Sequence, residues 1–106
     1  GNGNADGTFV YTGFKPAWLM VKQTNTTRDW MIYDNKRDPD NVVREQLEAN
    51  STSAADSYDN FDFLSNGFKL RTTSVGRNES GGTYIYMAFA ESPFVTGASA
   101  IPTTAR

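Results

Sequence analysis

The chain has 106 residues, 38% of them apolar, and its seven Phe, five Tyr and two Trp supply ring surface for one core in one domain rather than two. Ten basic against twelve acidic residues form no basic stripe that could follow phosphates, so nucleic acid is not an expected partner. Cysteine and histidine are both absent, which removes disulfides, thiolate metal sites and the commonest general base, and argues against an enzyme.

Residues 1–7, GNGNADG, read as a loop, because Gly and Asn tolerate the positive φ of tight turns. TFVYTGF (8–14) is a short strand closed by Gly13. PAWLMVKQT (16–24) is a stronger one: Pro16 stands at its first residue, where a missing N–H does least harm, and Trp18 and Met20 face opposite to Leu19 and Val21. The polar turn TNTTRD (24–29) leads into WMIYD (30–34), so residues 16–34 form a hairpin with a tryptophan on each arm.

From Asn35 to Ser57 the chain turns polar and poor in aromatics. Val42 to Ala49 reads as a helical turn with Val43 and Leu47 on one face, and the whole region as one long surface excursion, where binding tends to reside. FDFLSNGFKLRTT (61–73) returns to strand, with Asn66-Gly67 the strongest hairpin signal in the chain. Phe68, Leu70 and Thr72 alternate with Lys69, Arg71 and Thr73, so one face of that strand is wet. SVGRNESGG (74–82) is a turn. TYIYMAFAE (83–91) is a strand apolar on both sides, with Ile85, Met87 and Phe89 against Tyr84, Tyr86, Ala88 and Ala90. Small residues and proline in 95–106 have the composition of an extended tail.

Six or seven strands with at most one short helix predict an all-β domain over residues 1–94, an antiparallel β-sandwich or small barrel with one long surface loop. The large apolar groups at period two, Trp18, Leu19, Trp30, Ile32, Phe63, Phe68, Leu70, Ile85, Met87 and Phe89, are the expected core. Tyr84, Tyr86 and Ala88 then fall on the other side of the last strand as a candidate interface, since tyrosine is enriched where proteins meet and alanine admits a close backbone. No apolar run approaches the about 18 residues that span a bilayer, and the first residues lack the regions of a signal peptide, so a soluble chain with no membrane partner is expected.

Two clusters could carry chemistry. Asp34, Asn35, Asp38, Asp40 and Asn41 crowd oxygen donors of the kind Ca²⁺ prefers into one stretch. The spacing lacks the alternating ligands, central Gly and bidentate Glu of an EF-hand, and Lys36 and Arg37 interrupt it. It reads as an Asx-turn loop, a candidate ligand loop with no expected metal or cofactor. Asp56, Asp59 and Asp62 interleave with Tyr58, Phe61 and Phe63. Tyr58 with Asp59 offers a ring and a carboxylate to a sugar; the plainer reading is a strand entry with inward rings and outward acids. Glu91 is placed to pair with Arg71 or Lys69 across the sheet and has no base beside it for a catalytic dyad. The sequons at 25–27, 50–52 and 78–80 read as chance occurrences in polar loops.

The stretches YTGFKPAWLMVKQT, DWMIYDNKRDPDN, LEANSTSA, FDFLSNGFKLRTT and GGTYIYMAFAESPF, spanning Gly1 to about Phe94, resemble a domain of uncharacterised function that recurs in structural proteins of tailed bacteriophages and prophages, often beside concanavalin-like lectin domains. That family has no catalytic motif to transfer. The resemblance implies a virion module of a tail, fibre or capsid, whose partners are other copies or neighbouring virion proteins. A carbohydrate-binding role toward host-surface glycans is the alternative. The end IPTTAR resembles the natural terminus of such polypeptides, which would put the domain at a C-terminus.

Overall fold

The computed structural model describes residues 1–92 and two short strands beyond them, Val95–Thr96 and Ile101–Pro102. The rest of the expected tail lies outside the described residues. Seven strands precede it: β1 (Phe9–Tyr11), β2 (Pro16–Gln23), β3 (Met31–Asp34), β4 (Val43–Glu48), β5 (Asp56–Leu64), β6 (Gly67–Leu70) and β7 (Tyr84–Ala90). A single helical turn, α1 (Val75–Asn78), stands between β6 and β7. The strands form one antiparallel sheet in the order β1-β6-β5-β4-β3-β2-β7, curled into a half-barrel. The all-β antiparallel class expected from the sequence is therefore the observed one. Among the described strands β1 pairs only with β6 and β7 only with β2, so these two are the edges of the curl.

The β5–β6 hairpin forms where the Asn-Gly signal lies, but its two turn residues are Ser65 and Asn66, because Leu64 pairs with Gly67 and Phe63 with Phe68. Gly67 serves a different purpose. A Cβ there would fall 2.1 Å from the Val10 carbonyl oxygen, so β1 can lie on β6 only where no side chain intervenes. Phe68 and Leu70 point inward and Lys69 and Arg71 outward, as their alternation predicts. Asp6 pairs with Lys69, which holds the Asp6 carboxyl below its ordinary range, and Arg71 pairs with Asp62 at 3.4 Å.

The core consists of Leu19, Val21, Met31, Tyr33, Val43, Phe61, Phe63, Phe68 and Leu70. Tyr33, Phe61 and Phe68 stack edge to face, with ring centroids 4.7 and 5.7 Å apart.

Three expectations fail here. Val43–Glu48 is neither helix nor surface loop but a strand in the middle of the sheet, between β3 and β5. Its inner face is partly polar: Gln46 is buried because Tyr33 Oη donates to its Oε1 at 2.8 Å and Arg77 Nε donates to the same atom at 2.6 Å. The expected excursion thus divides into two shorter connections. Opposite β4, the register slips between Val43↔Phe61 and Glu45↔Ser57, leaving a bulge in β5. The buried Asn60 fills it, its Nδ2 donating to the carbonyls of Arg44 and Tyr58 in place of ladder bonds.

Secondly, Ile85, Met87 and Phe89 are not core; each is more than half exposed. Their side of β7 is set by pairing with β2. Leu19, Val21 and Gln23 point inward, and opposite them stand Ala88, Tyr86 and Tyr84. At the open end of the curl a long ring with a hydroxyl serves better than an aliphatic chain. Tyr84 Oη accepts from Glu79 N at 2.9 Å and donates to the Val75 carbonyl, while the Tyr86 ring reaches Phe68 across the opening at 5.2 Å. Thirdly, Trp30 is exposed, ahead of the inward Met31, and Trp18 and Ile32, also expected in the core, lie half-covered on the outer face of the sheet.

Candidate functional site

Two features of the fold have no structural partner among the described residues. The first is the convex face of β4-β3-β2-β7. Register places Leu47 opposite Ile32, Ile32 opposite Met20 and Met20 opposite Met87, so one apolar row crosses four strands. Beside it Trp18 stands opposite Phe89, their rings 5.5 Å apart, and Ile85 stands opposite Lys22. Leu47, Ile85, Met87 and Phe89 are exposed, and Trp18, Met20 and Ile32 only partly covered. The row ends on β7, an edge strand whose seven residues include neither charge nor proline. Natural sheet edges usually carry such guards against pairing with another chain.

The second feature is the concave side, where the half-barrel leaves a cleft of about 340 Å³. Val10, Val21, Phe61, Phe68 and Leu70 line it with apolar surface, and Tyr84, Tyr86 and Arg77 stand at its walls. Arg77 comes from α1. Its Nε reaches Gln46 Oε1 and Tyr33 Oη, and its Nη1 donates to Ser74 Oγ at 2.7 Å. That bond occupies the hydroxyl of Ser74, the residue ahead of the helix, which makes no capping bond of its own. The guanidinium also lies 5.6 Å from the centre of the Tyr58 ring. Burial pushes the Tyr33 phenol up to about 12, the Arg77 charge acting in the opposite sense. Burial likewise raises the Tyr84 phenol, partly offset by its bond to Glu79 N. α1 itself is fastened by Asn78, fully buried, whose Nδ2 donates to the carbonyls of Asn4 and Thr72 and whose Oδ1 accepts from Asn2 N.

The sequence-predicted residues are distributed differently from a single site. Asn35, Asp38 and Asp40 do line one polar depression of about 210 Å³, with Lys15 and Asn41. Their oxygens are engaged only in part: Asn41 Oδ1 accepts from Phe63 N at 2.8 Å, whereas Asn35 Oδ1 is buried without a partner among the described residues. Asp34 Oδ1 accepts from the Lys36 and Arg37 amides, an Asx turn, and Oδ2 from Arg37 Nε at 2.6 Å. Burial alone would raise the Asp34 carboxyl, but these bonds outweigh it and hold the group below its ordinary value. Asp38 Oδ2 accepts from the amides of Arg44 and Glu45. Among the described residues no group of three or more acidic side chains converges as a metal would require. Tyr58 and Asp59 are exposed neighbours on β5, yet Asp59 is bound to Arg44 Nε at 2.6 Å and Tyr58 lies under Arg77. Phe61 and Phe63 are inward as the strand-entry reading expects, whereas the third ring, Tyr58, is outward. Glu91 pairs with neither Arg71 nor Lys69; four strands separate β7 from β6 in the sheet, and Glu91 meets Lys15 at 3.7 Å and Asn35 at 3.2 Å instead.

Tyr84, Tyr86 and Ala88, read from the sequence as an interface, line the concave side, and the outward residues of β7 are the odd-numbered ones. Arg77 was missed altogether. Its only sequence signal is a lone cation in a Gly- and Ser-rich connection.

The family described as Domain of unknown function (DUF7483) matches residues 1–93, and the chain belongs to it. No curated protein and no solved structure matches the chain.

Proposed function

We propose that this domain is an assembly module of a bacteriophage particle, part of a tail, fibre or capsid, which joins a second copy of itself through the β7 edge and the convex apolar row. The observation that carries this reading is the row Leu47–Ile32–Met20–Met87 running out to an edge strand without guards. Two β7 strands meeting antiparallel about a two-fold axis would bring Ile85, Met87 and Phe89 of both copies onto one face, extending the row across the joint. The virion setting rests on the sequence resemblance alone. Among the described residues no carboxylate lines the concave cleft, and the reading is of a structural rather than a catalytic part. The glycan alternative has less support, because Asp59 is engaged by Arg44 and one face of the Tyr58 ring by Arg77.

Sedimentation equilibrium of the parent and of Met87→Asp, alongside a glycan array, tests the proposal. The expected result is a parent dimer that Met87→Asp disperses with its circular dichroism unchanged, and no glycan bound. A parent that stays monomeric at every concentration and binds glycans would overturn it in favour of the lectin reading.

A further inference from the structure

Arg77 is a partly buried cation whose partners are all neutral: Tyr33 Oη, Gln46 Oε1, Ser74 Oγ and the Tyr58 ring. Among the described residues no carboxylate lies within salt-bridge distance of it, and the ion pairs found there lie on the outer surface or in loops. Taking a charge partly out of water without a counter-charge is unfavourable, and an arrangement that does so gains when an anion arrives. Arg77 stands at the wall of the 340 Å³ cleft, whose floor is Val10, Val21, Phe61, Phe68 and Leu70. A volume in this range is that of a small-ligand site, and the pairing of an apolar floor with one oriented cation defines what would fit it. A sugar or a free inorganic anion would leave the apolar floor largely unused.

We infer that the concave cleft binds a small amphiphilic anion, a carboxylate on an apolar chain, with Arg77 Nη2 donating to the carboxylate and the chain lying over Phe61, Phe68 and Leu70. Nη2 is the guanidinium nitrogen that makes no hydrogen bond among the described residues. Tyr86, whose ring lies edge-on to Phe68 and which is itself nearly half exposed, forms the wall that such a ligand would press against. The inference is independent of the assembly reading, since it concerns the opposite face of the sheet.

Octanoate and octan-1-ol, identical in chain and different in charge, are the probes. Titrated into ¹⁵N-labelled protein, octanoate should shift the amide signals of Val10, Val21 and Leu70 and the Arg77 side-chain Nε–H. It should bind at least about tenfold tighter than the alcohol, the increment a charge-assisted hydrogen bond supplies. Arg77→Gln should bring the two affinities together. Equal affinities in the parent would overturn the inference, as would octanoate shifts confined to Met20, Met87 and Phe89 on the convex face. If Arg77→Gln fails to fold, the comparison of the two probes on the parent decides alone.

Discussion

Phe61 and Phe89 are both phenylalanines on strands of one sheet, and the fold assigns them opposite consequences when truncated. Phe61 is 1% exposed and its ring touches Tyr33 at 4.7 Å and Phe68 at 5.7 Å. Phe→Ala in such a place costs about 3–5 kcal/mol, including the loss of two edge-to-face contacts. Because Phe61 also lines the concave cleft, the void left behind opens onto existing space and water, which puts the expected cost near the lower end, about 3 kcal/mol. For a domain of this size that is a large fraction of a total stability of about 5–15 kcal/mol. Phe89 is 57% exposed and loses one tilted contact with Trp18, so Phe89→Ala should cost about 1 kcal/mol. Urea titration followed by the fluorescence of Trp18 and Trp30, at protein concentrations low enough to keep the chain monomeric, measures both at constant m. The reasoning is refuted if Phe89→Ala costs as much as Phe61→Ala, for then the odd face of β7 is inside.

Gly67→Ala drives a methyl group into the Val10 carbonyl, so β1 should detach from β6, read as fast deuterium exchange at Val10 with the β2–β3 amides still protected. Asn78→Ala leaves the part-buried carbonyls of Asn4 and Thr72 without their donor and should cost about 1–3 kcal/mol by urea titration; a neutral result would show that water replaces the side chain. The Tyr33 phenol, folded near 12 against about 10 unfolded, loses its proton first from the unfolded chain. Its contribution is therefore constant below about pH 10 and falls as pH rises toward 12, by about 2–3 kcal/mol in all. Urea midpoints should show a fall with pH in the parent that is shallower in Tyr33→Phe; identical slopes would contradict the burial of that hydroxyl.

Strands that pair a wet face with an apolar one could be read directly: Phe68-Lys69-Leu70-Arg71 and the Asn-Gly turn before it both lie where the pattern puts them. β4 could not, because beyond Val43 its buried position is taken by Gln46. A polar side chain is buried there only through Tyr33 and Arg77, residues 13 and 31 positions away along the chain. β7 failed for a different reason. Both of its faces are apolar, hydrophobicity alone favours Ile85, Met87 and Phe89 for the core, and the choice is made by Leu19 and Val21 on the neighbouring strand together with the reach of two tyrosine hydroxyls and rings. Of the candidate sites, the Asx turn at Asp34 was legible because its bonds are local, whereas Arg77 acquires its meaning only when α1 sets it against β3, β4 and β5.

The assembly account is tested most directly by deuterium exchange of Tyr84–Ala90 in the parent as a function of protein concentration. Amides of β7 that point away from β2 have no acceptor among the described residues and gain one if a second β7 pairs alongside. The account predicts that their exchange slows several-fold as concentration rises, while the same amides in Met87→Asp exchange fast throughout. Exchange of this strand that is independent of concentration in the parent would contradict it.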